Sequence, residues 1–126
     1  MNPCDVAHAT FHVAKTGPKF KFLIVVDTKR NLGLLINSKP FTPPAAHVRV
    51  TPTELPFLDH DSFVDTAQLV CIHDLDEQIA TGKGKIVGHV DEPLRQRIYT
   101  AITTLGLLPT VQQRLIADAF GLALPA

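Results

Sequence analysis

The sequence predicts a mainly β, α+β fold: a small barrel of five to six strands closed by C-terminal helices. Two observations predict it. Short apolar runs separated by turn residues fill the chain up to Val90, and helical periodicity begins at Asp91. Because a sheet and a helix must each bury an apolar face, this order indicates a curled sheet covered by helices. We expect a single domain over residues 1–126, with the barrel core at about 17–90 and the helices at about 91–120.

Alternating or β-branched apolar runs predict the strands. Residues 1–15 alternate weakly and are expected to form an edge strand or an extended arm. Strands are predicted at residues 20–26, 32–37, 47–51, 63–72 and 85–90. The first two of these form a hairpin across a polar turn. Residues 39–46 hold three prolines, and residues 74–83 are polar and end in the run Gly82-Lys83-Gly84, so both are predicted to be loops, the second one mobile.

Two amphipathic helices are predicted after the last strand. Asp91 is a favourable N-cap, and Gly106 is a natural stop. Apolar residues recur between them at helical spacing: Leu94, Ile98, Ala101, Ile102 and Leu105. A shorter helix is expected to begin at Pro109, with one apolar side formed by Val111, Leu115 and Ala119.

Composition excludes several function classes. Twelve basic and twelve acidic residues balance, so no global positive field attracts nucleic acid, and any such site must be a local patch. The two cysteines form no CxxC or ligand cluster, and the six histidines have no metal-binding frame, so no cofactor or metal is expected. No signal peptide or membrane-spanning run is recognisable, which predicts a soluble cytoplasmic protein.

Residues 59–62, Asp-His-Asp-Ser, form the most informative polar segment. We call this segment the polar knot. Apolar neighbours on both sides, Phe57, Leu58 and Phe63, predict that it is held against a core. Fixed polar groups before a strand suit a binding or catalytic site, although a rigid turn uses the same residue types. Asp65 follows among apolar neighbours, and either Arg49 or a backbone amide is expected to satisfy its carboxylate.

Three passages resemble the PemK/MazF-like toxins of bacterial toxin–antitoxin systems. Residues 21–26 are similar to the first core strand of that family, and residues 58–65 to its "leucine, Asp-Ser, aromatic, Asp" passage in divergent members. Residues 87–98 are similar to its Gly-containing strand and closing helix. Together the three passages lie within about residues 17–105. The resemblance implies an SH3-like barrel.

The same resemblance implies a metal-independent endoribonuclease that cuts single-stranded RNA, works as a homodimer and is neutralised by an antitoxin peptide. By position, the family's Arg site falls on Lys21 (or Lys19) and its hydroxyl site on Ser38. The family's Arg-Pro pair is missing here. A lysine in place of the arginine supplies the positive charge but cannot form the two parallel hydrogen bonds by which a guanidinium holds a phosphate.

Metal-free RNA cleavage needs a base, an acid and donors for the phosphate. His60 and Asp61 are the candidates for proton transfer, with Lys21 and Ser38 completing the catalytic set. The candidate substrate-binding residues are Lys19, Arg49 and Asp65. The structural alternatives are that the knot only forms a turn, that the lysines only face water and that Ser38 only ends a strand. The rival function is a non-catalytic SH3-like barrel that serves as an interaction module, either a degenerate toxin or a phage-borne accessory protein.

Overall fold

One antiparallel sheet that curls into a half-barrel forms the centre of the protein, accompanied by three helices. The computed structural model describes residues 1–13, 17–40 and 47–122. Its strands are β1 (Asp5–Val13), β2 (Gly17–Asp27), β3 (Leu32–Asn37), β4 (His47–Val50), β5 (Ser62–Asp65), β6 (Val70–Cys71) and β7 (Lys85–His89). Its helices are α1 (Leu75–Thr81), α2 (Glu92–Leu105) and α3 (Thr110–Phe120). The predicted fold class, a small mainly β barrel with C-terminal helices, is confirmed.

The strand order is β4-β5-β3-β2-β1-β7, with the short β6 beside β3. β1 pairs with β2 on one side and with β7 on the other. Residues 5–13 therefore form an interior strand, and the predicted edge strand or extended arm was wrong. The hairpin of β2 and β3 is confirmed, as is the polar turn between these two strands. The predicted proline-rich loop falls mainly on residues 41–46, which lie outside the described residues.

The sheet buries apolar side chains on both faces because successive residues of a strand point to opposite sides. On β2, Ile24 belongs to a large cluster that includes α2 and α3, whereas Leu23 and Val25 belong to a smaller one around Leu75 at the start of α1. We call these the large-core face and the small-core face. The continuous apolar run of β2 is thereby explained, since both of its sides are covered.

Two predictions between Phe63 and Lys83 were wrong. The single strand predicted at 63–72 is divided, because the Asp65 carboxylate accepts a hydrogen bond from the Ala67 N–H and turns the chain out of the ladder. The loop predicted at 74–83 contains helix α1, which ends at Gly82 in the left-handed conformation. Its buried residues, Leu75 and Gln78, hold this short helix against the sheet.

The long helix α2 is confirmed in detail. The Asp91 carboxylate accepts a hydrogen bond from the Leu94 N–H at 3.1 Å, and Gly106 ends the helix at a φ of 62°. The apolar side predicted for α3 was wrong in part: Val111 is 79% exposed, and the buried residues are Ile116, Ala117 and Phe120. In the part of the chain that the structure describes, no helix combines the length and apolar character needed to cross a bilayer.

Candidate functional site

A cleft of about 170 Å³ opens between β2, the end of β3 and the segment that carries the polar knot. Ten residues line it: Phe20, Lys21, Phe22, Ile36, Ser38, Phe57, Leu58, Asp59, His60 and Ser62. We call it the aromatic cleft because three of these residues are phenylalanines. Its wall also holds hydroxyl, carboxylate and imidazole groups. It therefore combines a stacking surface with hydrogen-bonding groups.

The aromatic side chains form a connected surface. Phe22 lies 4.8 Å from Phe57, between ring centroids, and the ring of His8 stacks on Phe22 at 4.5 Å with a tilt of 27°. Phe20 is 5.0 Å from His8 and is 59% exposed. Burial lowers the pKa of His8 below its ordinary value, which favours the neutral ring. The surface therefore offers flat, uncharged rings to a ligand.

The geometry of the polar knot fixes the tautomer of His60. Its Nδ1 atom lies 2.8 Å from the backbone carbonyl oxygen of Asp61. Because a carbonyl oxygen only accepts, Nδ1 carries the proton and donates it, so the neutral ring keeps its lone pair on Nε2. The Ser62 hydroxyl donates to the His60 carbonyl oxygen at 3.2 Å and stabilises the turn that carries the exposed ring. His60 is thus an oriented imidazole with a basic nitrogen.

Of the seven predicted site residues, the structure brings Lys21, Ser38 and His60 to the aromatic cleft. Lys21 differs from Ser38 and His60 in the direction of its side chain. Successive residues of β2 point to opposite sides, so Phe20 and Phe22 face the cleft and Lys21 points to the small-core face. Lys19 falls on that same face and is exposed. Neither lysine side chain is therefore directed into the cleft by its strand.

Arg49 and Asp61 form an ion pair with each other outside the residues that line the aromatic cleft. A second pair lies beside it: Arg97 contacts Glu54 at 2.7 Å and donates to the Arg49 carbonyl oxygen at 2.8 Å. The hydrogen bond from Arg97 lowers the pKa of Glu54 below its ordinary value. Asp61, predicted for proton transfer, is therefore engaged as an ion-pair partner.

Asp65 is only 4% exposed and does not line the aromatic cleft. Its carboxylate accepts from the Ala67 N–H at 2.8 Å and from the Gln68 side-chain amide at 3.4 Å. Of the two partners predicted for it, the backbone amide is the one found, since Arg49 pairs with Asp61. These contacts give Asp65 a structural role at the end of β5.

The rings of Phe22, Phe57 and His8 are functional candidates that the sequence did not reveal. The alternation of Phe20 with Phe22 is a visible signal that both rings share one side of a strand. Phe57 and His8 join them only through tertiary contacts, from the knot segment and from β1. Within the described ranges, no group of three or more His, Cys, Asp or Glu residues is arranged to hold a metal ion.

No protein-family profile and no curated protein sequence matches this chain.

Proposed function

We propose that the chain binds single-stranded RNA in the aromatic cleft and is a divergent relative of the PemK/MazF-like toxins. The observation that supports binding is the connected surface of Phe20, Phe22 and Phe57 beside the hydroxyl of Ser38 and the imidazole of His60. Aromatic rings stack on unpaired bases of any sequence, and each stacked base contributes about 1–3 kcal/mol of binding free energy. Double-stranded RNA, whose bases are already stacked, does not fit this mode.

His60 supports cleavage as the reaction of the bound RNA. Its Nε2 accepts the proton of a ribose 2′-hydroxyl, the 2′-oxygen bonds to phosphorus, and the bond from phosphorus to the 5′-oxygen breaks. The leaving 5′-oxygen takes a proton from water at the open mouth of the cleft. The products are a 2′,3′-cyclic phosphate and a 5′-hydroxyl. The exposed Ser38 hydroxyl is the candidate donor to a phosphate oxygen.

Binding is tested by fluorescence anisotropy with an end-labelled single-stranded RNA and its duplex. We expect Phe20→Ala and Phe57→Ala to weaken single-strand binding roughly 5- to 150-fold, the equivalent of one lost stacking contact. Val111→Ala, a truncation of an exposed apolar residue on α3, serves as the control and should bind as the wild type does. Equal affinities for all four proteins would contradict the stacking surface.

Cleavage is tested on the same RNA in the presence of EDTA. His60→Gln should lose cleavage and retain binding, whereas His73→Gln, at an exposed histidine outside the cleft, should retain both. Products that end in a 2′,3′-cyclic phosphate and a 5′-hydroxyl would identify attack by the ribose 2′-oxygen as the reaction. Homodimer formation and neutralisation by an antitoxin peptide belong to the same proposal, and sedimentation velocity, alone and with a candidate peptide, tests them.

The second candidate function is the non-catalytic interaction module. One observation favours it: strand alternation points Lys19 and Lys21 away from the cleft, while Arg49 is paired with Asp61. This leaves little positive charge for the phosphate backbone, on which nucleic-acid affinity largely depends. A wild-type protein that neither binds nor cuts RNA would support the module and overturn the RNA proposal.

A further inference from the structure

A second cavity, of about 560 Å³, lies between β4 and α2. Seven of the described residues line it: Val48, Arg49, Arg97, Thr100, Ala101, Thr104 and Leu105. We call it the β4–α2 groove. None of these seven residues lines the aromatic cleft, so the groove is a separate feature from the RNA site proposed above.

The floor of the groove is formed by apolar residues that the core does not use fully. Helix α2 buries Leu94, Ile98 and Ile102, but Ala101 and Leu105 of the same apolar stripe are only half-buried. They face the groove together with Val48 of β4. Burying the remaining apolar surface of such a floor contributes about 25 cal/mol for each Å² removed from water.

The rim of the groove supplies hydrogen-bond donors. Arg49 uses its Nε and one terminal nitrogen on Asp61, and Arg97 uses its two terminal nitrogens on Glu54 and on the Arg49 carbonyl. Among the described residues, the Nε of Arg97 has no hydrogen-bond partner, whereas alternation along β4 turns the Arg49 side chain to the face opposite Val48. The Arg49–Asp61 pair is exposed and the Arg97–Glu54 pair is half-exposed, and solvent-exposed pairs contribute only about 0–1 kcal/mol. A further carboxylate can therefore join or replace the internal ones.

The size of the groove favours a small ligand over a protein partner. Stable protein interfaces use about 20–30 residues on each side, far more than the described residues that line this groove. Small-molecule sites are typically cavities of about 300–1,000 Å³ with apolar walls and a few polar groups, which the groove matches. We propose that the β4–α2 groove binds a small amphiphilic carboxylate. Its apolar tail lies on Val48, Ala101 and Leu105, and its carboxylate bonds to Arg97.

Octanoate is the probe, with octanol as the matched ligand that lacks the charge, and backbone amide NMR shifts are the readout. We expect saturable shifts at Val48 and along residues 97–105, with octanoate binding at least tenfold more tightly than octanol. Arg97→Gln should reduce that preference, whereas Arg114→Gln, at an exposed arginine on α3, should preserve it. Ala101→Leu fills the floor and should prevent binding.

Thermal unfolding of each variant shows whether it is folded, so a lost site is distinguished from a lost fold. Equal affinity for octanoate and octanol would overturn the proposal, because Arg97 would then contribute nothing. Unchanged binding in Ala101→Leu would overturn it as well. Groove shifts that appear on concentrating the protein alone, with a matching increase in sedimentation coefficient, would identify a second copy of the chain as the occupant and overturn the small-ligand proposal.

Discussion

Phe57 lies directly against Gly88: a β-carbon at position 88 would stand 2.8 Å from one carbon of the Phe57 ring and 3.0 Å from another. Phe57 also packs on Phe22, so strand β7, strand β2 and the segment before the polar knot meet at this ring. Glycine is needed at position 88 because the ring occupies the space of a side chain. The contact fixes one wall of the aromatic cleft.

Gly88→Ala should lower the free energy of unfolding by about 1–3 kcal/mol, the usual cost of overpacking. The added methyl group pushes the Phe57 ring away from Phe22, so RNA affinity should fall as well. Urea unfolding measures the first effect. In a Phe57→Ala background the same glycine substitution should cost much less, because the ring that it clashes with is gone. Additive costs in this double-mutant cycle would contradict the contact.

Asp65→Ala should destabilise the protein by about 1–3 kcal/mol, because it leaves the Ala67 N–H without its acceptor next to a buried strand end. The RNA affinity of the folded fraction should stay at the wild-type value, since Asp65 does not line the cleft. Asp59→Ala, at an exposed carboxylate of the polar knot, is the stability control and should change unfolding by less than about 0.5 kcal/mol. Lost RNA affinity in a stable Asp65→Ala protein would give Asp65 a binding role.

The sequence pattern correctly predicted those strands and helices that are determined by residues close together in the chain. The run 32–37 became β3 because its apolar residues are bounded by a polar turn and by the Ser38-Lys39-Pro40 segment. Asp91 begins α2 by accepting a hydrogen bond from the Leu94 N–H, and Gly106 ends it by adopting the left-handed backbone conformation. The strand predicted at 63–72 failed because one side chain, Asp65, bonds to the backbone two residues later and competes with the ladder.

The candidate site was predictable only as far as it is contiguous in sequence. The polar knot is visible as one segment, and its apolar flanks correctly indicated that a core holds it: Leu58 and Ser62 are buried. Phe57 and His8, however, come together over Phe22 from distant parts of the chain, and no periodicity reports such a contact. Whether the Lys21 side chain points into the cleft depends on which side of β2 the cleft occupies, and only the sheet topology determines that side.

The two cysteines should differ sharply in reactivity, which tests the packing of the residue before β1 against α3. Cys4 is 3% exposed, its thiol donates to the Ala119 carbonyl at 3.3 Å, and burial raises its pKa above the ordinary value. Cys71 is half-exposed. A disulfide reagent should therefore label Cys71 quickly and Cys4 only after unfolding. Cys71→Ser should remove the fast phase, and a fast phase that survives this substitution would contradict the burial of Cys4.

The stacked His8 ring should make stability depend on pH. Burial lowers the pKa of His8 in the folded protein, so the unfolded chain, with a pKa of about 6.5, binds the proton more readily. Stability from the neutral ring is therefore complete above about pH 6.5 and declines as the pH falls from there toward the lower folded pKa. His8→Phe keeps an aromatic ring on Phe22 without the titration. Urea unfolding between about pH 7.5 and pH 5 should show a steeper loss of stability for the wild type than for this variant. Parallel curves would mean that His8 accepts a proton in place, without leaving the stack.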